Sequence, residues 1–156
     1  MQIRHHCQAK AATGKGEDFH VSHPDCVWPG DRSDAASLGL CGAPVHFALF
    51  GVFDGHGGQA TGKHCRDALL REFLAALDAR VFEHSAAPGS PPRARERCAA
   101  AWERHVAHAL VATFGRLDAH ARAADARSGA TASVFVVAAA DARADAEAAA
   151  AGAPPA

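Results

Sequence analysis

The residues with the clearest chemical potential lie at the end of an apolar segment. Residues 45–53 read VHFALFGVF, and residues 54–58 follow directly as DGHGG. The apolar run is too short for a typical helix, so we predict a strand buried on both faces that ends in an Asp-Gly turn. There, the Asp54 carboxylate could bind a cation and the His56 imidazole could move a proton near neutral pH. Three glycines exceed what a bend requires, which indicates a close approach to the backbone.

A second acidic segment lies earlier in the chain. Residues 13–19 read TGKGEDF, so two glycines lead into Glu17 and Asp18. The pattern predicts a turn that enters a strand at Phe19. The alternative for this segment is a polar turn without function. The alternative for DGHGG is an ordinary glycine turn in which Asp54 caps the next helix.

Helices and one further strand must position these groups. Apolar residues at steps of three and four predict helices over residues 59–81 and 94–124. The stripes of these helices comprise Leu70, Phe73, Leu74, Leu77 and Val81 in the first, and Trp102, Val106, Leu110, Phe114 and Leu117 in the second. Residues 133–137, SVFVV, predict a strand. Residues 22–44 are rich in turn formers and predict a loop, with Trp28 as its packing anchor.

Composition excludes some classes of partner. The net charge of −1 gives no reason to expect nucleic acid, and the sequence contains no apolar run or leader that predicts a membrane span or secretion. The five cysteines are odd in number and form no CxxC pair, which indicates reduced thiols in an intracellular protein of the cytoplasm or nucleus. We expect His64 at the surface, and we expect no metal at His105 and His108, because no carboxylate lies at ligand spacing.

Three segments in the same order resemble the metal-dependent type 2C protein phosphatases, the PPM family. They are GKGEDF at 14–19, in a form seen in some plant members, LFGVFDGHGG at 49–58, and SGATA at 128–132. The resemblance implies an α+β fold in which two antiparallel sheets pack together and helices cover each outer face. This chain would supply the N-terminal half of that α-β-β-α sandwich.

The resemblance also implies a reaction, the hydrolysis of phosphoserine and phosphothreonine in phosphoproteins by a monomeric enzyme with two Mg²⁺ or Mn²⁺ ions. Asp54 would bridge the ions, and the carbonyl of Gly55 would bind one of them. Asp18 would bind or orient the other ion, and Glu17 would hold water at the metal site. His56 would be the general acid that protonates the leaving seryl or threonyl oxygen. All four metal-site groups offer oxygen, the donor that these hard cations prefer.

The sequence departs from the family at the position that holds the substrate phosphate. The family has an arginine four residues before the glutamate of the acidic pair, and this chain has Thr13. Lys10 or Lys15 could supply a point charge there, but neither has the bidentate fork of a guanidinium.

The resemblance ends near residue 137. We therefore expect a partial phosphatase domain over residues 1–137 and a disordered, alanine-rich tail over residues 138–156. The family's Gly-Asp-Ser-Arg motif and its two distal metal-binding aspartates have no counterpart. We expect one ion to bind weakly and the activity of this chain alone to be far below that of a full domain. The alternatives are a phosphatase-like fragment that only binds or has no function, and an unrelated α/β protein with a chance DGHGG.

Overall fold

A computed structural model describes residues 16–28, 45–79, 92–124 and 127–138. The elements within these ranges are, in chain order, β1 (Phe19–Trp28), β2 (Val45–His56), α1 (Ala60–Asp78), α2 (Pro92–Ala124) and β3 (Gly129–Ala138). The strands form an antiparallel sheet in the order β1-β2-β3, with α1 against the sheet and α2 against α1. The α+β class is confirmed.

The strand predicted over the apolar run is confirmed as β2, and it lies at the centre of the three-stranded sheet. It pairs with β1 from Val45 to Phe53 and with β3 from Phe47 to His56. The predicted turn at Asp54-Gly55 is wrong, because both residues are strand residues paired with β3 and the chain turns only after His56. Pairing with a distant strand has overridden the local turn signal.

The two faces of β2 differ, so the prediction that both are buried is wrong for the described part of the chain. Phe47, Leu49 and Phe53 point to the helices and are buried, whereas alternate residues point to the opposite face. That opposite face, which we call the open face, carries large apolar side chains that are 44–63% exposed: Val27, Val52, Phe135 and Val137. Apolar side chains exposed together on one face of a sheet are typical of an interaction surface.

Strand β1 extends further than the sequence predicted. Residues 22–28 were predicted to be loop, yet they continue the strand to Trp28. The register shifts between His23 and Cys26, around Pro24 and Asp25. Proline lacks a donor, and it is tolerated here because β1 is an edge strand of this sheet and the pairing is irregular at that point.

Helix α1 covers the sheet, and the prediction over residues 59–81 is confirmed as far as the structure describes it. Leu69, Phe73 and Leu77 are fully buried, and each contributes about 1.5–3 kcal/mol relative to an exposed side chain. The stripe predicted from the sequence omitted Leu69, because the buried face is centred one residue earlier than the periodicity suggested.

Helix α2 confirms the second predicted helix and begins slightly earlier, at Pro92. The predicted large residues flank its contact with α1, and most of them are half-buried. At the centre of the contact, α2 buries every fourth residue, and most of these residues have small side chains: Ala101, His105, Ala109, Thr113, Leu117 and Ala121. Small residues let the two helix backbones approach closely, so this row sets the separation of the helices. His105 is buried and His108 is exposed, so they do not share a face.

Trp28 is a packing anchor, as predicted. Its side chain is 1% exposed, and its indole N–H donates to Oδ1 of Asp78 at 2.7 Å. Its ring lies 5.7 Å from that of Trp102 and 5.1 Å from that of His105. The end of β1 is thereby joined to the end of α1 and to α2.

Two of the five cysteines lie where the structure describes side chains. Cys26 and Cys65 are free thiols and buried. Burial raises the pKa of both, and the carboxylate of Asp25 adds to the rise at Cys26. Both thiols are therefore less reactive than an exposed cysteine.

Among the described helices, none has the length and apolar content needed to cross a bilayer. The tail was predicted over residues 138–156. Ala138 is the last residue of β3, and residues 139–156 lie outside the described residues.

A histidine pair joins the two helices. The imidazole of His64 on α1 stacks on that of His120 on α2, with ring centroids 4.1 Å apart and planes 7° from parallel. His64 is half-buried, so it lies at the surface only in part. Burial lowers the pKa of His64, as do His120 and Arg71, and a smaller opposing effect comes from two carboxylates on its own helix.

We predict that His64 makes stability depend on pH below about 6.5. The unfolded chain binds more protons at His64 than the folded chain does, so stability falls as the pH decreases through this window. The melting temperature should fall between pH 7 and pH 5.5, and the fall should be smaller in His64→Gln. His108→Gln, which removes an exposed histidine of α2, is the control. An equal pH dependence in His64→Gln and the parent would contradict the assignment.

Candidate functional site

The acidic segment and the DGHGG segment meet at one end of the sheet. The carbonyl oxygen of Glu17 occupies the space that a Cβ at Gly55 would take. Phe19 holds the segment in place, because its ring lies against Gly62 of α1 and the guanidinium of Arg66 lies 5.2 Å from the ring centroid. Two glycines thus let β1 approach both β2 and α1.

The strand register brings two of the predicted ligands together. Phe19 pairs with Phe53 in the last pair of the β1–β2 register, and Glu17 lies against Gly55. We infer from the continued register that Asp18 lies opposite Asp54. Opposed residues of antiparallel strands have Cα atoms about 5 Å apart and side chains on the same face. Asp18 is half-buried and Asp54 is exposed. The two carboxylates therefore share the polar end of the open face.

Glu17 does not join them on that face. Its Cβ lies on the side of the sheet to which a Cβ at Gly55 would point, and this is the side of the helices. The predicted set is therefore divided, with Asp18 and Asp54 on the open face and the Glu17 side chain on the other. Because neighbouring residues of an extended chain alternate in direction, an adjacent acidic pair cannot place both side chains on one face.

His56 lies beside the carboxylates, two residues after Asp54 on the same strand and face. It forms the last pair of the β2–β3 register with Gly129. A Cβ at Gly129 would lie 2.7 Å from Cε1 of the imidazole and even closer to Nε2, so the ring covers this glycine. The structure therefore places an exposed imidazole next to an exposed carboxylate, as the sequence predicted.

The turn after His56 is held by the segment that precedes β3. Gly57 and Gly58 have φ angles of 71° and 134°, which side-chain-bearing residues rarely adopt. A Cβ at Gly57 would lie 2.5 Å from the carbonyl oxygen of Arg127. The glycines are thus required by both conformation and space, which explains why this segment contains more of them than a simple bend needs.

Sequence reasoning missed a polar link next to this turn. The backbone N–H of Thr61 donates to Oγ of Ser128 at 3.2 Å, and Oγ1 of Thr61 donates to the Ser128 carbonyl at 3.0 Å. The two hydroxyl oxygens are 2.8 Å apart. Gln59, the N-cap residue of α1, makes no side-chain cap, so Ser128 satisfies this N–H instead. The Ser-Gly start of the SGATA segment was the available signal, but its partner could not be read from it.

The donor types at this site fit Mg²⁺ or Mn²⁺, but the described residues supply fewer ligands than a two-ion centre needs. Asp18 and Asp54 offer carboxylate oxygens, and Gly55 offers a carbonyl beside them. Across the four described ranges, no three His, Cys, Asp or Glu side chains form a group that could hold a metal ion. Two carboxylates are fewer than a two-ion centre requires. Thr13, Lys10 and Lys15, which concern the substrate phosphate, lie outside the described residues.

Known proteins similar to this chain are plant phosphatases. No protein-family model matches the chain. It is 31% identical over 138 residues to the probable protein phosphatase 2C 15 of Oryza sativa subsp. japonica, an alignment that covers 88% of the chain and 24% of that protein. It is 28% identical over 124 residues to the probable protein phosphatase 2C 33 of the same species, with coverages of 79% and 22%.

A third relative is the probable protein phosphatase 2C 5 of Arabidopsis thaliana, at 27% identity over 128 residues, with coverages of 81% of the chain and 24% of the relative. The chain thus spans about a quarter of the length of these curated relatives. The family resemblance carried by the three sequence motifs is confirmed.

We predict that Gly55→Ala destabilises the protein, because the added methyl group would overlap the carbonyl of Glu17. The free energy of unfolding should fall by about 1–3 kcal/mol, as for overpacking elsewhere. The control is Gly115→Ala on α2, where a Cβ would meet nothing within 4 Å. That variant should match or exceed the parent in urea unfolding. Equal stabilities of Gly55→Ala and Gly115→Ala would contradict the close approach.

Proposed function

Because this chain is related to the protein phosphatase 2C family, we propose that it acts as part of a metal-dependent protein serine/threonine phosphatase. The substrate class is a phosphoprotein, and the reaction is hydrolysis of its phosphoserine or phosphothreonine ester. The observation that carries the proposal is the grouping of Asp18, Asp54 and His56 at one end of the open face. Carboxylates from two chain segments and an imidazole are among the groups that this reaction needs.

Each residue has a distinct role in the proposal. Asp54 and Asp18 hold divalent cations, and the carbonyl of Gly55 adds a further oxygen. When bound, such cations activate water and neutralise charge on the phosphoryl oxygens. Glu17 points to the helix side, so we assign it to orienting the Asp18 segment through its backbone contact with Gly55.

His56 supplies the proton. The seryl or threonyl oxygen that leaves the phosphorus is a poor leaving group unless it is protonated, and an imidazole ring nitrogen can donate that proton near neutral pH. His56 is exposed, so a phosphorylated side chain can reach it from the open face. The ring needs a fixed position for this task, and its contact with Gly129 provides one.

We also propose that a second antiparallel sheet packs on the open face, which gives the sandwich that the resemblance implies. Val52 and Phe135 are 55% and 63% exposed on this face. Sheets that pack face to face bury such side chains about 10 Å from the facing sheet. The polar end with Asp18 and Asp54 would then lie at the rim, where a second sheet could add ligands. The monomeric state and the intracellular location stay predictions.

The second candidate function is a phosphatase-like chain that binds without catalysis. It is favoured by the open face of the described strands, where the structure places two carboxylates, fewer than a two-ion centre needs. The two candidates differ in turnover, and both are compatible with binding of a single cation.

We predict that the open face tolerates polar substitution in this chain. Val136 and Val137 are neighbours on β3, and Val136 packs on the core whereas Val137 is 44% exposed on the open face. Val136→Thr should lower the free energy of unfolding by about 1–3 kcal/mol, because it buries a hydroxyl group. Val137→Thr should change it by less than about 0.5 kcal/mol. Equal losses in urea unfolding would show that the open face is already covered.

We predict that Asp54→Asn weakens Mn²⁺ binding at least tenfold, since even a partner of a ligand commonly contributes about 10–100-fold to affinity. Isothermal titration with Mn²⁺ measures binding, and phosphate release from a phosphoserine peptide measures turnover. Asp118→Asn, which removes an exposed carboxylate of α2, is the control. Binding that is unchanged in Asp54→Asn would contradict the assignment. Binding that depends on Asp54 without any turnover would favour the second candidate.

A further inference from the structure

The segment before β3 is tied to the start of α1. Oγ of Ser128 accepts a hydrogen bond from the backbone N–H of Thr61, and the Thr61 hydroxyl donates a hydrogen bond to the carbonyl oxygen of Ser128. Thr61 is 7% exposed and Ser128 is half-buried, so these hydrogen bonds are partly shielded from water. A shielded hydroxyl that lost its partner would leave polar atoms unsatisfied, which is costly. The link therefore fixes the position of Ser128 relative to a helix that is itself packed on the sheet.

The residue after Ser128 is the surface on which the His56 ring lies. The imidazole occupies the space that a Cβ at Gly129 would need, and Gly129 is also the β3 partner of His56. Strand pairing fixes the backbone of His56 and the bare glycine admits its ring. Any shift of Gly129 would therefore move the ring or force it into another rotamer.

The same segment supports the turn that follows His56. The carbonyl of Arg127 lies against Gly57, and Cβ of Ser128 would be 3.5 Å from a Cβ at Gly58. Residues 127–129 therefore contact both the ring of His56 and the backbone immediately after it.

From these contacts we propose that Thr61, Ser128 and Gly129 are positioning residues for His56. Thr61 and Ser128 hold the segment, and Gly129 provides the space in which the imidazole lies. This proposal rests on the proposed function, in which His56 is the general acid. It adds to that function three residues that touch neither the proposed metal ligands nor the leaving oxygen.

The first test measures the ring directly, in the full chain and without any metal. The ¹H–¹³C NMR signal of the His56 Cε1–H group, assigned by its loss in His56→Gln, reports the surroundings of the ring. The signal should shift in Gly129→Ala and in Thr61→Val, which keeps the shape of the side chain but loses its hydroxyl. It should be retained in Ser128→Thr, which keeps the hydroxyl, and in the control Gly115→Ala.

The second test uses the leaving group. A general acid contributes about 10²–10⁴-fold to the rate when the leaving oxygen needs a proton. A phosphoserine peptide needs that proton, whereas p-nitrophenyl phosphate, with its activated leaving group, hardly does. Thr61→Val should therefore lower kcat on the peptide at least about tenfold and lower kcat on p-nitrophenyl phosphate less than about twofold. General destabilisation would lower both rates equally.

The outcomes separate the two proposals. Absence of turnover by the parent would count against the proposed function and leave the NMR test to decide on positioning. If Gly129→Ala does not fold, Thr61→Val decides alone. A His56 signal that stays unchanged in folded Thr61→Val would overturn the positioning role. Equal loss of both rates in that variant would also overturn it.

Discussion

The contact on which the candidate site depends is the seating of the Glu17 carbonyl against Gly55. No side chain could stand at position 55 without pushing the acidic segment away from β2. The requirement is steric: Asp18 can lie opposite Asp54 only if residue 55 has no side chain. Gly129 acts in the same way for the ring of His56. Two positions without side chains thus let Asp18 lie beside Asp54 and let the ring of His56 lie on β3.

The packing of β2 and α1 behind the site holds these backbone contacts in fixed positions. Strand β2 is paired on both edges, and Leu69 and Phe73 of α1 are fully buried. Packed interiors do not deform easily, so the ends of the strands are held to the helix that covers them. The site lies where this rigid unit ends, between a buried face and an exposed one. That position gives exposed chemical groups a fixed backbone, as binding sites require.

Much of this arrangement could be predicted from residue patterns. The apolar run of β2 and the stripes of both helices are strong signals, because burial dictates them locally. The continuation of β1 past Val21 could not be predicted, since Pro24 and Asp25 are typical of loops and only the pairing of the residues around them with β2 makes this segment strand. Asp54 and Gly55 form strand for the same reason, because β3 supplies their partners.

The candidate site was predictable in composition but only in part in geometry. The motifs identified Asp18, Asp54 and His56, which lie together on one face. They could not show that the Glu17 side chain points to the other side, because that depends on how β1 reaches β2. The link between Thr61 and Ser128 joins residues 67 positions apart, and neither residue predicts its partner.

The order of the strands has a consequence for biosynthesis. The middle strand of the sheet has one neighbour that precedes it along the chain, whereas the other follows only after both helices. During synthesis on the ribosome, one edge of the apolar strand β2 would have no hydrogen-bonding partner until β3 had been translated. Unsatisfied edges of this kind recruit other extended chains. The interval between the synthesis of the middle strand and that of the last one is therefore when this protein is most exposed to misassembly and most dependent on chaperones.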